Sequence, residues 1–197
     1  MNKQTEKQQL RKTMRALEAR LSERYLEQSD RRIAAQLLAM PEYQAAETVF
    51  CFVSVGREIN TRPVLNAALE SGKTLCVPRC LGSGIMELRA IQSLDDLAPG
   101  AYGIPEPTED APLISVDRVD FAVLPCLTCN HLGQRLGRGG GYYDRFLARY
   151  TGRALLLCRR ALLRPDIPRQ PHDIRIPAVI TEQGRVQAGA VPDTAGR

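Results

Sequence analysis

The chain has 197 residues, 44% hydrophobic and 25% charged, which suits one globular domain with a sizeable core. No apolar run approaches the ~20 residues of a membrane span, and the opening Met1-Asn-Lys-Gln-Thr-Glu-Lys7 lacks the apolar centre of a signal peptide, so a cytoplasmic protein with no membrane partner is expected. The net charge of +5 comes from 23 Arg and 4 Lys against 22 acidic residues, yet aromatics are only 5%, Trp is absent and no nucleic-acid motif is present, which favours small anionic ligands over nucleic acid.

Residues 4–21 read as an amphipathic helix with Leu10, Met14, Leu17 and Leu21 on one stripe, and residues 25–40 as a second with Leu26, Ile33, Leu37 and Met40. Ser22 between them is suited to cap the second helix. Lys7 and Arg11 stand four apart and share a helix face; spacing alone makes this a solvated basic face. Thr48-Val-Phe-Cys-Phe-Val-Ser-Val55 is a continuous apolar run, as expected of a parallel strand covered on both sides. It leads into Gly56-Arg-Glu-Ile-Asn-Thr61, where Glu58 is a lone carboxylate at the carboxyl end of a strand, the place where open α/β sheets bind ligands.

Residues 63–71 predict a helix with Pro63 in its first turn and Gly72 as its cap. A short strand follows over 74–78, then Arg79, a Ser83-Gly84 turn and a half-exposed alternating strand over 85–91. Leu97 to Pro107 is too proline-rich for a helix or central strand and reads as a loop. Val119 to Pro125 and Ala154 to Cys158 read as buried strands, Ala178 to Thr181 as a terminal strand, and 187–197 as a loose tail. Apolar strands alternating with helices argue a three-layer α/β domain with a mixed, mainly parallel sheet and an N-terminal helical hairpin packed against it. One domain is expected over 1–197, with helices at 4–40, the α/β core at 45–182 and no linker.

Six cysteines stand at 51, 76, 80, 126, 129 and 158. Cys51, Cys76 and Cys158 fall in apolar runs and read as small hydrophobes. Cys126-Leu-Thr-Cys129 is a CxxC that Cys76-x-x-x-Cys80 would have to complete as a zinc set, and the irregular spacing and two histidines argue against it. Leading into a loop rather than a helix, the pair also lacks the context of a redox CxxC.

The densest chemistry lies in Gly133-Gln-Arg-Leu-Gly-Arg-Gly-Gly-Gly-Tyr-Tyr-Asp-Arg-Phe-Leu147, which holds five glycines and three arginines between a buried strand and a helix-like segment with Tyr142, Phe146 and Tyr150 four apart. Glycines let backbone N–H groups turn toward a ligand, a helix N-terminus adds positive potential, and Arg135 and Arg138 can fork onto phosphate. Asp144 sits where a carboxylate can hold a phosphate-bridging Mg²⁺. Neither the P-loop nor the dinucleotide fingerprint is present, so the residues by themselves define a phosphate-binding loop of unspecified type.

Arg135-Leu-Gly-Arg-Gly-Gly-Gly-Tyr-Tyr-Asp144 resembles the signature of the 5-formyltetrahydrofolate cyclo-ligase family, also called 5,10-methenyltetrahydrofolate synthetases, and the likeness covers most of the chain. The resemblance implies a Rossmann-like topology and an ATP- and Mg²⁺-dependent ring closure of 5-formyltetrahydrofolate; a monomer is expected. By the same resemblance ATP is expected at Lys7, Arg11 and the run Gly133, Gln134, Arg135, Leu136, Gly137, Arg138, Gly139, Gly140, Gly141 and Tyr142. The folate is expected beside Val55, Glu58, Tyr102, Arg138, Tyr142 and Tyr143, and Mg²⁺ at Asp144 and Asp173. Tyr102-Gly-Ile-Pro-Glu-Pro107 is a further family landmark, in which Glu106 can also accept from a pterin. Departures are Cys129 and Cys158 for aromatics, Asn60 for an acidic residue and Asn130 for an aspartate; an amide lacks the charge but still accepts hydrogen bonds. Two other readings remain open at this point, another nucleotide enzyme on the same scaffold and an arginine-rich RNA-binding module.

Overall fold

The structure, a computed structural model, describes residues 2–176 and 178–186; the tail expected at 187–197 lies outside the described residues. The elements in chain order are α1 (Lys3–Ala19), α2 (Glu23–Leu38), α3 (Pro41–Gln44), β1 (Thr48–Cys51), α4 (Arg62–Glu70), β2 (Thr74–Gly82), β3 (Ile85–Ile91), β4 (Leu97–Pro99), β5 (Pro105–Pro107), β6 (Leu113–Ile114), β7 (Phe121–Leu124), β8 (Thr128–Cys129), β9 (Arg135–Leu136), α5 (Tyr142–Leu147), β10 (Arg153–Leu157), β11 (Ala178–Thr181) and β12 (Gly184–Val186). Eight strands form one sheet in the order β12-β11-β10-β7-β1-β2-β3-β6. The five strands from β11 to β2 are mutually parallel, and β12, β3 and β6 add antiparallel edges.

The parallel strands are apolar on both faces because both are covered. Val49 and Cys51 of β1, Phe121 and Val123 of β7, and Leu155 and Leu157 of β10 share one core with α2, α3 and α4. The alternate residues Phe50, Ala122, Leu124 and Leu156 face the other core, with Met14 of α1 and Phe146 and Leu147 of α5. The three-layer arrangement expected from the apolar runs is therefore present. The two N-terminal helices part at Ser22, whose Oγ accepts from Tyr25 N at 3.3 Å; α1 lines one face and α2 the other.

Several elements differ from the sequence pattern. The strand expected over 48–55 ends at Cys51; Phe52 N still donates to Val123 O at 3.4 Å, after which Thr61 Oγ1 takes over, accepting from Ser54 N and donating to Phe52 O. The strand expected over 74–78 runs on to Gly82, since β3 supplies an antiparallel partner. Leu97 to Pro107, read as loop, folds into the two-stranded ribbon β4–β5, whose prolines are tolerated because the ribbon is isolated. The helix expected over 142–150 spans only Tyr142–Leu147, although Phe146 and Tyr150 still stack with centroids 4.9 Å apart.

Candidate functional site

β1 and β7 are neighbours in the sheet, yet the chain leaves β1 toward β2 on one side and leaves β7 toward β10 on the other. This is the topological switch point of an open α/β sheet, where a crevice opens at the strands' carboxyl ends. The segments that leave these ends, 52–61 after β1 and 125–141 after β7, bound the crevice.

The second segment is built on the β8–β9 ribbon, in which Cys129 stands opposite Arg135. Its turn is organised by buried Asn130, whose Oδ1 accepts from Leu132 N and Gln134 N at 3.0 Å each while its Nδ2 donates to Gln134 Oε1 at 2.7 Å and Pro165 O at 3.2 Å. The amide thus uses donors and acceptor together, which a carboxylate cannot do. Gly133 and Leu136, expected at the nucleotide, are buried and shape the ribbon from below. Gly137 to Gly140 then emerge toward solvent, with Gly139 at φ +109° and Gly141 at φ +75° as the N-cap of α5, backbone conformations that a side chain with Cβ rarely adopts.

α1 reaches this loop through Arg11. Arg11 Nε donates to Gly137 O at 2.9 Å, and the guanidinium lies close against Gly139. Burial lowers the Arg11 pKa and neighbouring Arg15 lowers it further, whereas Asp173 and Asp144 act in the opposite direction, so both carboxylates lie near this one cation. Lys7, buried despite its charge, donates to Asp173 Oδ1 and Oδ2 at 2.7 and 2.6 Å and to Gln170 Oε1 at 2.9 Å. Burial opposes ionisation of Asp173, but the Gln170 amide and the Lys7 ammonium outweigh it and hold the carboxyl below its usual value. Arg135, expected to fork onto phosphate, is instead buried and donates through Nη2 to Asp144 Oδ1 at 2.6 Å. Its backbone places it on β9 facing inward, so the exposed cation of the loop is Arg138. Asp144 and Asp173 are each held by a cation, Arg135 and Lys7, and their carboxylates are hard oxygen donors of the kind that Mg²⁺ takes.

Across the crevice, Glu58 Oε2 accepts from Val55 N at 2.9 Å and Oε1 from Arg138 Nε at 2.8 Å. This ion pair joins the two segments, with Arg138 about half exposed and Glu58 largely covered. Tyr142 and Tyr143 are half-buried at the start of α5. Burial, then Glu58 nearby, raise the Tyr143 pKa strongly, so its hydroxyl stays protonated. Tyr102 lies in the turn Ala101–Gly103, apart from these elements in the chain, and its side chain lies outside what the structure describes. Glu106 is buried, and among the described residues its Oε1 has no hydrogen-bond partner.

Two contributors escaped the sequence reading. Arg159, 1% exposed, donates to Ser29 Oγ, Asp30 Oδ1 and the carbonyls of Arg57 and Glu58 at 2.6–3.2 Å, and so ties the Glu58 segment to α2. Its signal was a charged residue directly after an apolar strand, masked by the abundance of arginine around it. Glu18 lines the crevice with Glu58, and burial raises its pKa against the pull of Arg138 and Arg159. It lies seven residues beyond Arg11, on the same helix face. The zinc set weighed from Cys76 and Cys80 does not assemble; Cys126 and Cys129 meet Cys158 instead.

Residues 3–182 match the model of the 5-formyltetrahydrofolate cyclo-ligase family. Among similar proteins, a probable 5-formyltetrahydrofolate cyclo-ligase of Schizosaccharomyces pombe is 25% identical over 90% of this chain and 95% of its own length. A mouse 5-formyltetrahydrofolate cyclo-ligase is 28% identical over 88% and 90%. The solved Aquifex aeolicus 5,10-methenyltetrahydrofolate synthetase superposes with a TM-score of 0.82 at 26% identity, covering 97% of each chain.

Proposed function

The chain belongs to the 5-formyltetrahydrofolate cyclo-ligase family, a family of ligases, and we propose that it closes 5-formyltetrahydrofolate to 5,10-methenyltetrahydrofolate with Mg·ATP, releasing ADP and phosphate. The observation that carries this reading is the Arg138–Glu58 pair across the switch-point crevice. It joins a glycine–arginine loop suited to phosphate with a carboxylate suited to the N–H groups of a pterin, so each half of the pair has a ligand to claim.

Ring closure must expel the formyl oxygen, which is a very poor leaving group as hydroxide. In the proposed reaction that oxygen attacks the γ-phosphorus; its P–O bond forms as the β,γ-bridging bond breaks and ADP departs. The N10 lone pair then attacks the formyl carbon, the C–O bond breaks, phosphate leaves and N10 releases its proton. Phosphoryl transfer requires alignment and neutralisation of charge rather than a protein nucleophile. Backbone N–H groups of Gly137 to Gly141 and the Arg138 guanidinium meet the triphosphate, while Arg11 and Lys7 supply positive charge from α1. Arg135 holds Asp144 in place. Asp144 and Asp173 would hold Mg²⁺, which supplies neutralisation of phosphate oxygens when bound. Glu58 orients the pterin, with Val55, Tyr102, Tyr142 and Tyr143 around it.

The direct test mixes purified protein with 5-formyltetrahydrofolate and Mg·ATP and follows the near-ultraviolet band of methenyltetrahydrofolate. The band is expected to grow only with ATP present and to be lost in Arg138→Ala. No band, with ATP binding intact, would leave the scaffold standing and refute the folate assignment.

A further inference from the structure

We propose that Cys126, Cys129 and Cys158 form a three-thiolate site for a thiophilic divalent cation of the zinc class, with one coordination position left open toward the crevice. The Sγ atoms of the three residues all lie within 4.8 Å of one another, and among the described residues they are the one group of three or more metal-ligating side chains so arranged. Three sulfurs at the ~2.3 Å zinc–sulfur distance of a tetrahedral site stand about 3.8 Å apart, so closure needs shifts of about 1 Å or less.

The backbone holds this triad in place before any ion arrives. Cys126 and Cys129 come from the segment after β7, and Cys158 directly follows β10. The two segments are stitched together by Arg164 N donating to Cys129 O at 3.0 Å and Thr128 Oγ1 donating to Leu162 O at 2.5 Å. Cys129 and Cys158 are buried, whereas Cys126 is half-buried and shares with Cys158 the crevice wall that also carries Glu58 and Glu18. An ion therefore has an entrance and, from the same side, a water for its fourth position. Cys126 and Cys158 donate to the carbonyls of Leu157 and Arg159 at 3.4 and 3.5 Å, as buried Cys51 and Cys76 do to those of Phe52 and Val49; what sets the three apart is that their sulfurs converge, whereas neither Cys51 nor Cys76 belongs to the group.

Charge supplies a second, independent observation. Three thiolates on a dication carry one excess negative charge. Arg135 stands opposite Cys129 in the ribbon and brings a buried positive charge to the triad. Among the described residues its Nε is buried without a hydrogen-bond partner, although Nη2 of the same guanidinium is paired with Asp144, and a buried donor without an acceptor costs stability. A thiolate cluster would offer acceptors beside it. Binding is proton exchange with no redox change: three S–H bonds break, three protons leave to buffer, and three metal–sulfur bonds form. The soft sulfur set also separates this site from the oxygen donors Asp144 and Asp173, and it does not depend on which reaction the crevice performs.

The test uses the full chain, reduced and stripped of metal with a chelator, titrated anaerobically with Co²⁺ and then Zn²⁺. Sulfur-to-cobalt charge-transfer bands with tetrahedral visible absorption should saturate at one ion per chain, and Zn²⁺ should displace them. Calorimetry of the Zn²⁺ step in buffers of different ionisation enthalpy should report proton release. Cys126→Ser and Cys158→Ala should abolish the bands, while Cys76→Ala should retain them. Cys126→Ser is the decisive variant, because its partly exposed site tolerates the change, and retained circular dichroism certifies its fold. Absent bands in the reduced wild type, or bands that survive Cys126→Ser or Cys158→Ala, would overturn the proposal.

Discussion

Removing the Arg159 guanidinium should loosen the fold and the Glu58 segment together. The side chain is 1% exposed and donates to Ser29, to Asp30 and to the carbonyls of Arg57 and Glu58. In Arg159→Ala those four acceptors lose their donor, and the Asp30 carboxylate, only 16% exposed, loses its counter-charge. Deleting one partner of a buried pair costs about 3–5 kcal/mol, a large part of the ~5–15 kcal/mol that a domain commands. For a chain of this length, with about 2 cal/mol/K of unfolding entropy per residue, the fall in Tm is about 7–12 °C. Arg159→Lys keeps the charge near Asp30 but not the planar fork, and about 1–2 kcal/mol of loss is expected from the carbonyls left without a donor. Urea unfolding measures the first effect. Steady-state kinetics of ring closure measure the second: KM for 5-formyltetrahydrofolate should rise in Arg159→Lys while KM for ATP holds, because the carbonyls released belong to the Glu58 side of the crevice. Full loss of stability with an unchanged folate KM would refute the positioning role, and a stability loss below about 1 kcal/mol in Arg159→Ala would refute the energetic reasoning.

Arg11→Ala removes a charge-assisted contact with the phosphate loop worth about 1.5–3 kcal/mol, so KM for ATP should rise about 10- to 150-fold with little change for the folate; equal rises for both substrates would argue against a nucleotide-side role. Asn130→Asp sets a carboxylate against Gln134 Oε1 and Pro165 O, and chemical denaturation should show a loss of about 1–3 kcal/mol, whereas unchanged stability would mean the loop re-forms around an acid. The Asp173 carboxyl is held below its ordinary value of 3.8. A depressed acid stabilises the fold fully above that ordinary value and ceases to do so as pH falls through the folded value. The wild type should therefore lose more stability than Asp173→Asn when melts are compared from neutral pH down to about pH 2, and parallel curves would exclude the linkage.

Hydrophobic patterning alone determined the α/β class, the two N-terminal helices, the central strands and the switch to glycine and arginine after Pro125, because burial on two faces demands continuous apolar runs and a phosphate loop demands residues without Cβ. The lysine and arginine of α1 were legible as a pair, since four residues return to the same helix face. Their target was not, because a helix pattern contains no direction beyond its own axis; only the packed sheet brings Arg11 to Gly137 and Lys7 to Asp173. Tertiary structure likewise turned Arg135 inward to Asp144, left Arg138 outward to Glu58, and shortened the helix that follows. The edge strand β12 and the β8–β9 ribbon were too short to show a period, and exist only because a neighbour supplies their hydrogen bonds. Cys158 stands 29 residues beyond Cys129 in the chain, and its meeting with the CxxC is decided by parallel pairing of β10 beside β7, a long-range contact that local spacing cannot encode.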